Sequence, residues 1–276
     1  MILFSDIFVP VVGMGIELDF RPGPVVARPL RSAEQVDALR VPDPRDSVPF
    51  VLEILRRLRR ELEPLRVPLI GFSGAPFTLA AYLVEGARSK EFSEIRRLAH
   101  GGSKWLRRLL ELLAELVTGY LRAQVDAGAQ VVQLFDTWAG LLARDEYREW
   151  VLPLHREIAA GLDRDRAPLI LYVKDGAHLV DLMAESGADV ISLDWRAELG
   201  DAAARVGRRV SLQGNLDPCA LAAAPERIEA RVRALAAAAR PARWHVLNLG
   251  HGCLPDTPVE GVRAFTAAAR ALGSAR

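Results

Sequence analysis

Short apolar runs alternate along this chain with longer stretches whose apolar residues recur at helical spacing. Runs at residues 1–6, 67–74, 130–135, 168–173, 189–193, 210–213 and 245–249 read as strands. Helical patterns fill the gaps: 47–62, 76–85, 91–127 with a break at Gly101-Gly102, 145–162, then stretches ending at Glu185 and Val206, then 225–240 and 257–272. Leu106, Leu109, Leu110, Leu113, Leu116 and Val117 keep helical spacing and are core positions. In 47–62, Arg56, Arg57, Arg59 and Arg60 stand against Glu53, Glu61 and Glu63, the pattern of a solvated face. One excursion breaks the rhythm: residues 17–20 and 25–26 flank Arg21-Pro22-Gly23-Pro24 and predict a hairpin.

Strands that alternate with helices pair in parallel, and no Gly-x-Gly-x-x-Gly turn marks a doubly wound sheet. Polar residues gather where the strands end, the face on which a β/α barrel builds its site. The expected architecture is an α/β barrel of the TIM type forming a single domain, residues 1–276. Seven strands are counted where a closed barrel needs eight.

Composition narrows the function. With 276 residues, 50% of them hydrophobic, the chain can bury a large core. A formal net charge of +1 provides no global field for nucleic acid or an anionic membrane, so an acidic substrate must be held by local charges. Cys219 and Cys253 make no disulfide framework, which suits a reducing cytoplasm. No run is long and apolar enough to span a bilayer, and Ser5 and Asp6 interrupt the apolar start as no signal peptide would.

The most pointed stretch is Asn248-Leu249-Gly250-His251-Gly252-Cys253-Leu254-Pro255-Asp256, set between a strand and a helix. A histidine between two glycines is placed to meet a ligand, because glycine lets backbone approach closely. A tight turn whose histidine caps a neighbour explains the same string.

Several blocks together resemble uroporphyrinogen decarboxylase. They are Phe4-Ser5-Asp6-Ile7; Pro68-Leu69-Ile70-Gly71-Phe72-Ser73-Gly74-Ala75-Pro76-Phe77-Thr78-Leu79 with Tyr82 and Glu85-Gly86; and Gln133-Leu134-Phe135-Asp136-Thr137-Trp138-Ala139-Gly140. Gly187-Ala188-Asp189, Leu193-Asp194-Trp195, Leu212-Gln213-Gly214-Asn215-Leu216-Asp217-Pro218-Cys219-Ala220-Leu221 and the stretch around His251 follow in the family's order. The resemblance implies a (β/α)8 barrel, usually a homodimer, working without metal or organic cofactor. It implies removal of carbon dioxide from the four acetate arms of uroporphyrinogen III, giving coproporphyrinogen III for haem synthesis. By motif, Asp6 is similar to the aspartate that accepts hydrogen bonds from the pyrrole N–H groups, and Tyr82 to the active-site tyrosine. Thr137 stands where the family has serine or threonine, and His251 is similar to the histidine that contacts the carboxylate arms.

The residue types suit that chemistry. Loss of carbon dioxide from an acetate arm needs an electron sink, which protonation of the adjacent pyrrole carbon creates. A carboxylate fixed among the N–H groups stabilises the resulting cation, a charge present only near the transition state. Tyr82 and Thr137 orient the macrocycle, and His251 binds a carboxylate as a cation or relays a proton. Taken singly, Asp6 also fits a strand-end cap, Tyr82 an amphipathic helix and Thr137 a turn. Asp194, Asn215 and Asp217, also at strand ends, read as structural turns.

One departure matters. The family's first strand and its Arg-x-x-Gly-Arg-Tyr type motif, whose arginines grip substrate carboxylates, have no counterpart here. No arginine pair is evident at the strand ends; Arg21, Arg28 and Arg31 are the candidates to substitute. The expectation is therefore a fragment, inactive alone, of a longer enzyme, with a shortened paralogue as the alternative. An open barrel edge should bring low stability or association. Two rival functions remain: a zinc-dependent methyltransferase of thiols or corrinoids using His251, Cys253 and Cys219, and a non-catalytic tetrapyrrole-binding protein.

Overall fold

The computed structural model describes residues 1–3, 5–19 and 23–273. Six strands form one parallel sheet in chain order: β3 (Ile70–Gly74), β4 (Val131–Phe135), β5 (Leu169–Tyr172), β6 (Val190–Ser192), β7 (Ser211–Leu216) and β8 (His245–Leu249). Ahead of them, β1 (Leu18–Asp19) pairs antiparallel with β2 (Val25–Val26), the hairpin that the excursion predicts. Its tip at Arg21-Pro22, with the candidate Arg21, lies outside the described residues.

Two strand expectations are corrected. The opening run is not a buried strand: it adds a single parallel bridge, Ile2 to Ile70, with Ile70 N–H donating to the Met1 carbonyl at 2.7 Å. Ile2 is exposed, because no further strand covers it among the described residues. At the other end, β7 continues through Gly214-Asn215-Leu216, which sequence alone reads as a turn; β8 pairs along that extension, Asn215 opposite Asn248. Six regular strands plus one bridge thus replace seven strands, in an arc that runs in unbroken order without closing among the described residues.

Helices form where periodicity places them, with ends set by local chemistry. Pro49–Leu62, Pro76–Glu85 and Pro225–Ala238 each begin with proline, whose missing N–H costs nothing in a first turn. The long pattern splits at the two glycines into Ser93–His100 and Lys104–Asp126, the latter capped by Ser103, whose hydroxyl accepts from Leu106 N–H at 3.3 Å. Residues 145–162 form two helices, Arg144–Trp150 and Leu152–Gly161. Leu106, Leu109, Leu110, Leu113, Leu116 and Val117 are all buried against the outside of the sheet in the main core.

Candidate active site

The C-terminal ends of β4, β5 and β8 bring Thr137, Lys174 and His251 to the mouth of the arc, and the helix after β3 adds Tyr82. These four residues, with Trp138 and Arg88, line an open cleft of about 610 Å³. Thr137 and His251 also border a second cavity of about 450 Å³ that runs into the bore past Gln133, Ser192 and Gln213. The two spaces therefore meet at Thr137 and His251. Deeper in the bore, Gln213 Nε2 donates to Ser192 Oγ at 3.0 Å and Gln133 Oε1 at 3.3 Å, so these buried polar groups are satisfied within the protein.

Three of the four sequence candidates thus converge, whereas the fourth, Asp6, lines neither space. Asp6 is exposed and follows the Ile2 bridge. Its Oδ1 accepts from Phe8 N–H at 2.8 Å, the cap-like bond that the sequence also allows. Phe8 then packs edge-on against Tyr82 at 5.2 Å between ring centres, and Asp6 is close enough to raise the Tyr82 pKa through its charge. Burial is the larger cause of that rise, partly offset by the Trp138 indole and by Arg88. Tyr82 is accordingly a neutral hydrogen-bonding group at physiological pH.

The Thr137-Trp138 turn is held from behind. Asp136 is fully buried, and its Oδ1 accepts from the Thr78 hydroxyl at 2.7 Å and from Thr78 N–H at 3.1 Å. Its Oδ2 takes His155 Nε2 at 2.9 Å, and His155 Nδ1 meets the Tyr147 hydroxyl at 3.0 Å. A carboxylate only accepts, so the network assigns a proton to His155 Nε2. Thr78 Oγ1 in turn accepts from Trp138 N–H at 3.1 Å. Thr78 and Tyr82 are four residues apart in the helix Pro76–Glu85, hence on one face, so this lock also sets where Tyr82 sits.

His251 rests on a looser turn. Gly252 N–H donates to its Nδ1 at 2.7 Å, and its ring lies near Tyr172 and Trp195, 6.4 and 6.1 Å between centres. Burial lowers its pKa, and the nearby Lys174 and Arg196 lower it further against Asp194 and Asp175. These groups favour the uncharged imidazole in the unliganded protein. Gly250 is needed where it stands: a Cβ there would meet Trp195 N at 2.2 Å. Gly252 faces open space, so only the first of the two glycines serves a close approach.

Sequence reasoning missed the cations. Lys174 Nζ lies 2.5 Å from Asp175 Oδ2 and 5.9 Å from the centre of the Trp138 ring, and Arg196 pairs with the other oxygen of Asp175. Arg88 lines the cleft without an ion pair among the described residues. The arginines proposed as substitutes are occupied elsewhere: Arg28 pairs with Glu17 at 3.1 Å on the surface, and Arg31 donates to the carbonyls of Leu30 and Val84. A signal existed, since Lys174 is one of three lysines in an arginine-rich chain and directly follows a strand. Asp194 and Asp217 make the turns read from sequence, accepting from N–H groups two residues on at 2.8 and 2.9 Å, whereas Asn215 lies within β7 and its Nδ2 donates to the carbonyls of Asp194 and Ala197.

No group of three or more His, Cys, Asp or Glu is arranged to hold a metal among the described residues, so Cys219, Cys253 and His251 do not assemble the zinc site of the rival reading. No described helix is long and apolar enough to cross a membrane.

Residues 1–272 match the family model for uroporphyrinogen decarboxylase (URO-D). Uroporphyrinogen decarboxylases of Geobacter sulfurreducens and Pelobacter propionicus are 45% and 46% identical to the chain; the matches cover 94% and 95% of it and 76% and 77% of those proteins. That of Thioalkalivibrio sulfidiphilus is 47% identical, covering 96% of this chain and 77% of its own. The chain thus spans about three quarters of the length of these relatives. Among solved structures, a methyltransferase from Methanosarcina mazei shares the fold, with a TM-score of 0.83 over 98% of this chain and 80% of that one, at 23% identity.

Proposed function

The chain belongs to the uroporphyrinogen decarboxylase family, and from that premise we propose that it removes the acetate carboxyl groups of uroporphyrinogen III to give coproporphyrinogen III. The observation that carries the reading is the meeting of Tyr82, Thr137 and His251 at one cleft, with the carboxylate of Asp6 near Tyr82. In this reading the macrocycle lies across the mouth, and its pyrrole N–H groups face Asp6. Protonation of a pyrrole carbon makes the ring cationic and lets the adjacent acetate lose carbon dioxide. Asp6 stabilises that cation where it develops. Exposure of Asp6 in the unliganded chain fits this role, since the bound macrocycle itself would exclude water and strengthen the interaction.

Tyr82 and Thr137 offer hydroxyls that donate to or accept from the substrate. His251 is placed to hydrogen-bond a carboxylate arm through Nε2, because Nδ1 is already engaged by Gly252 N–H. A homodimer and a cytoplasmic setting belong to the same reading and rest on the family resemblance alone.

The test is an anaerobic assay of carboxylate loss from uroporphyrinogen III with the wild-type chain and Asp6→Asn. The substitution keeps size and removes charge, so a loss of about 10²–10³ in kcat is expected, with KM little changed. Full activity of Asp6→Asn would remove Asp6 from the mechanism, and no conversion by the wild-type chain would overturn the reaction for this chain alone, the outcome the fragment expectation gives.

A further inference from the structure

Resting on the decarboxylase reading, the geometry points to Lys174 as a carboxylate-binding residue of the cleft, one that exchanges Asp175 for an acidic arm of the substrate when the cleft fills. Lys174 projects from the end of β5 among Tyr82, Thr137, Trp138 and His251. Its ammonium is mostly covered, its side chain 21% exposed, and its partner is the adjacent Asp175. Asp175 is fixed independently of that ion pair. It adopts a left-handed backbone conformation, φ 57°, and its N–H donates to the buried carboxylate of Asp194.

Charge accounting explains why Lys174 can leave. Asp175 offers one carboxylate to two cations: Oδ2 to Lys174 and Oδ1 to Arg196. Arg196 is anchored in turn, stacked 4.3 Å over Trp195 and 3.9 Å from Asp194. If Lys174 turns to a substrate carboxylate, Asp175 stays neutralised by Arg196, and no buried charge is stranded. The reverse exchange is less suited, since Arg196 does not line the cleft. His251 is less suited to supply the positive charge, because burial and Lys174 itself lower its pKa. Lysine suits this swap: a point charge on a flexible stem can change partners without the matched geometry that a guanidinium fork imposes. Asp175 is therefore a resident stand-in for the substrate's own carboxylate.

The experiment is calorimetric titration with coproporphyrinogen III, prepared and held anaerobically, at low and high salt. This ligand keeps carboxylate arms and has no acetates left to lose. Wild type, Lys174→Met, Lys174→Arg and Asp175→Asn are compared, with a thermal melt of each. Expected are weakening by about tenfold or more and a flatter salt dependence for Lys174→Met, binding within a few-fold of wild type for Lys174→Arg, and tighter binding for Asp175→Asn. Binding and salt dependence of Lys174→Met equal to wild type would overturn the inference while leaving the decarboxylase reading intact. Should Lys174→Met melt early, Asp175→Asn decides: unchanged or weaker binding overturns the exchange. Failure of the wild-type chain to bind this ligand would overturn both.

Discussion

Two strand ends face each other across the cleft, and they are built differently. β4 lies between β3 and β5, and its turn is locked by a buried carboxylate with three donors on it, tied to Thr78, His155 and through them to Tyr147 and Trp138. β8 pairs only with β7 among the described residues, and its covering helices share a small separate cluster built on Ile228, Val232 and Ala268. Trp244 and Val246 on that edge are 61% and 45% exposed. Thr137 is thus delivered by a scaffold whose buried carboxylate is fully engaged, and His251 by a strand paired on one side only among the described residues. A site assembled from both can hold one side of a large flexible ligand fixed while the other side adjusts to it. Local opening is expected to begin at β8, since stability follows the density of buried contacts.

Breaking the rigid side should cost most. Asp136→Ala leaves the Thr78 N–H, the Thr78 hydroxyl and His155 Nε2 without their acceptor. A loss of about 3–5 kcal/mol in unfolding free energy is expected from urea titration. A loss below 1 kcal/mol would show that the lock is not what holds this end of the sheet.

A smaller effect should separate the two glycines of the β8 turn. Gly250→Ala forces a Cβ to within 2.2 Å of Trp195 N, and backbone must move to admit it; about 1–3 kcal/mol is expected. Gly252→Ala meets nothing within 4 Å and should change stability by less than about 0.5 kcal/mol. Equal melting temperatures for the two variants would mean that the turn yields freely.

The smallest effect is electrostatic. His251 has its pKa lowered in the folded protein by burial first and Lys174 second, from an ordinary value of 6.5. The unfolded chain then binds the proton more readily, so this stabilising contribution is complete above the unfolded value and is lost as pH falls through the lower native one. Lys174→Met should move the His251 midpoint, followed by NMR, back up toward the ordinary value. A midpoint unmoved by that substitution would place Lys174 too far away to act.

Much of this protein was legible in its sequence because it depends on local pattern. Helical periodicity located the helices beside the core, the glycine pair split the long one, and strands alternating with helices gave parallel order. The turns that hold Thr137 and His251 were readable from glycine, proline and short polar residues, while the site roles of Tyr82, Thr137 and His251 came from the family resemblance.

What the sequence did not yield depends on pairing between distant residues. Nothing local marked β7 as running on through Gly214-Asn215-Leu216; its partner at Leu247-Asn248-Leu249 decides that. Nothing local distinguished buried Asp136 from exposed Asp6, because burial comes from Thr78 and His155 packing over one and not the other. Nor did composition show which cations face the cleft: Arg28 and Arg31 were spent on the hairpin side, while Lys174 was delivered by the end of β5. Periodicity and turn chemistry are properties of neighbours along the chain, whereas burial, ion-pair choice and the imidazole's charge are set by groups that only folding brings together.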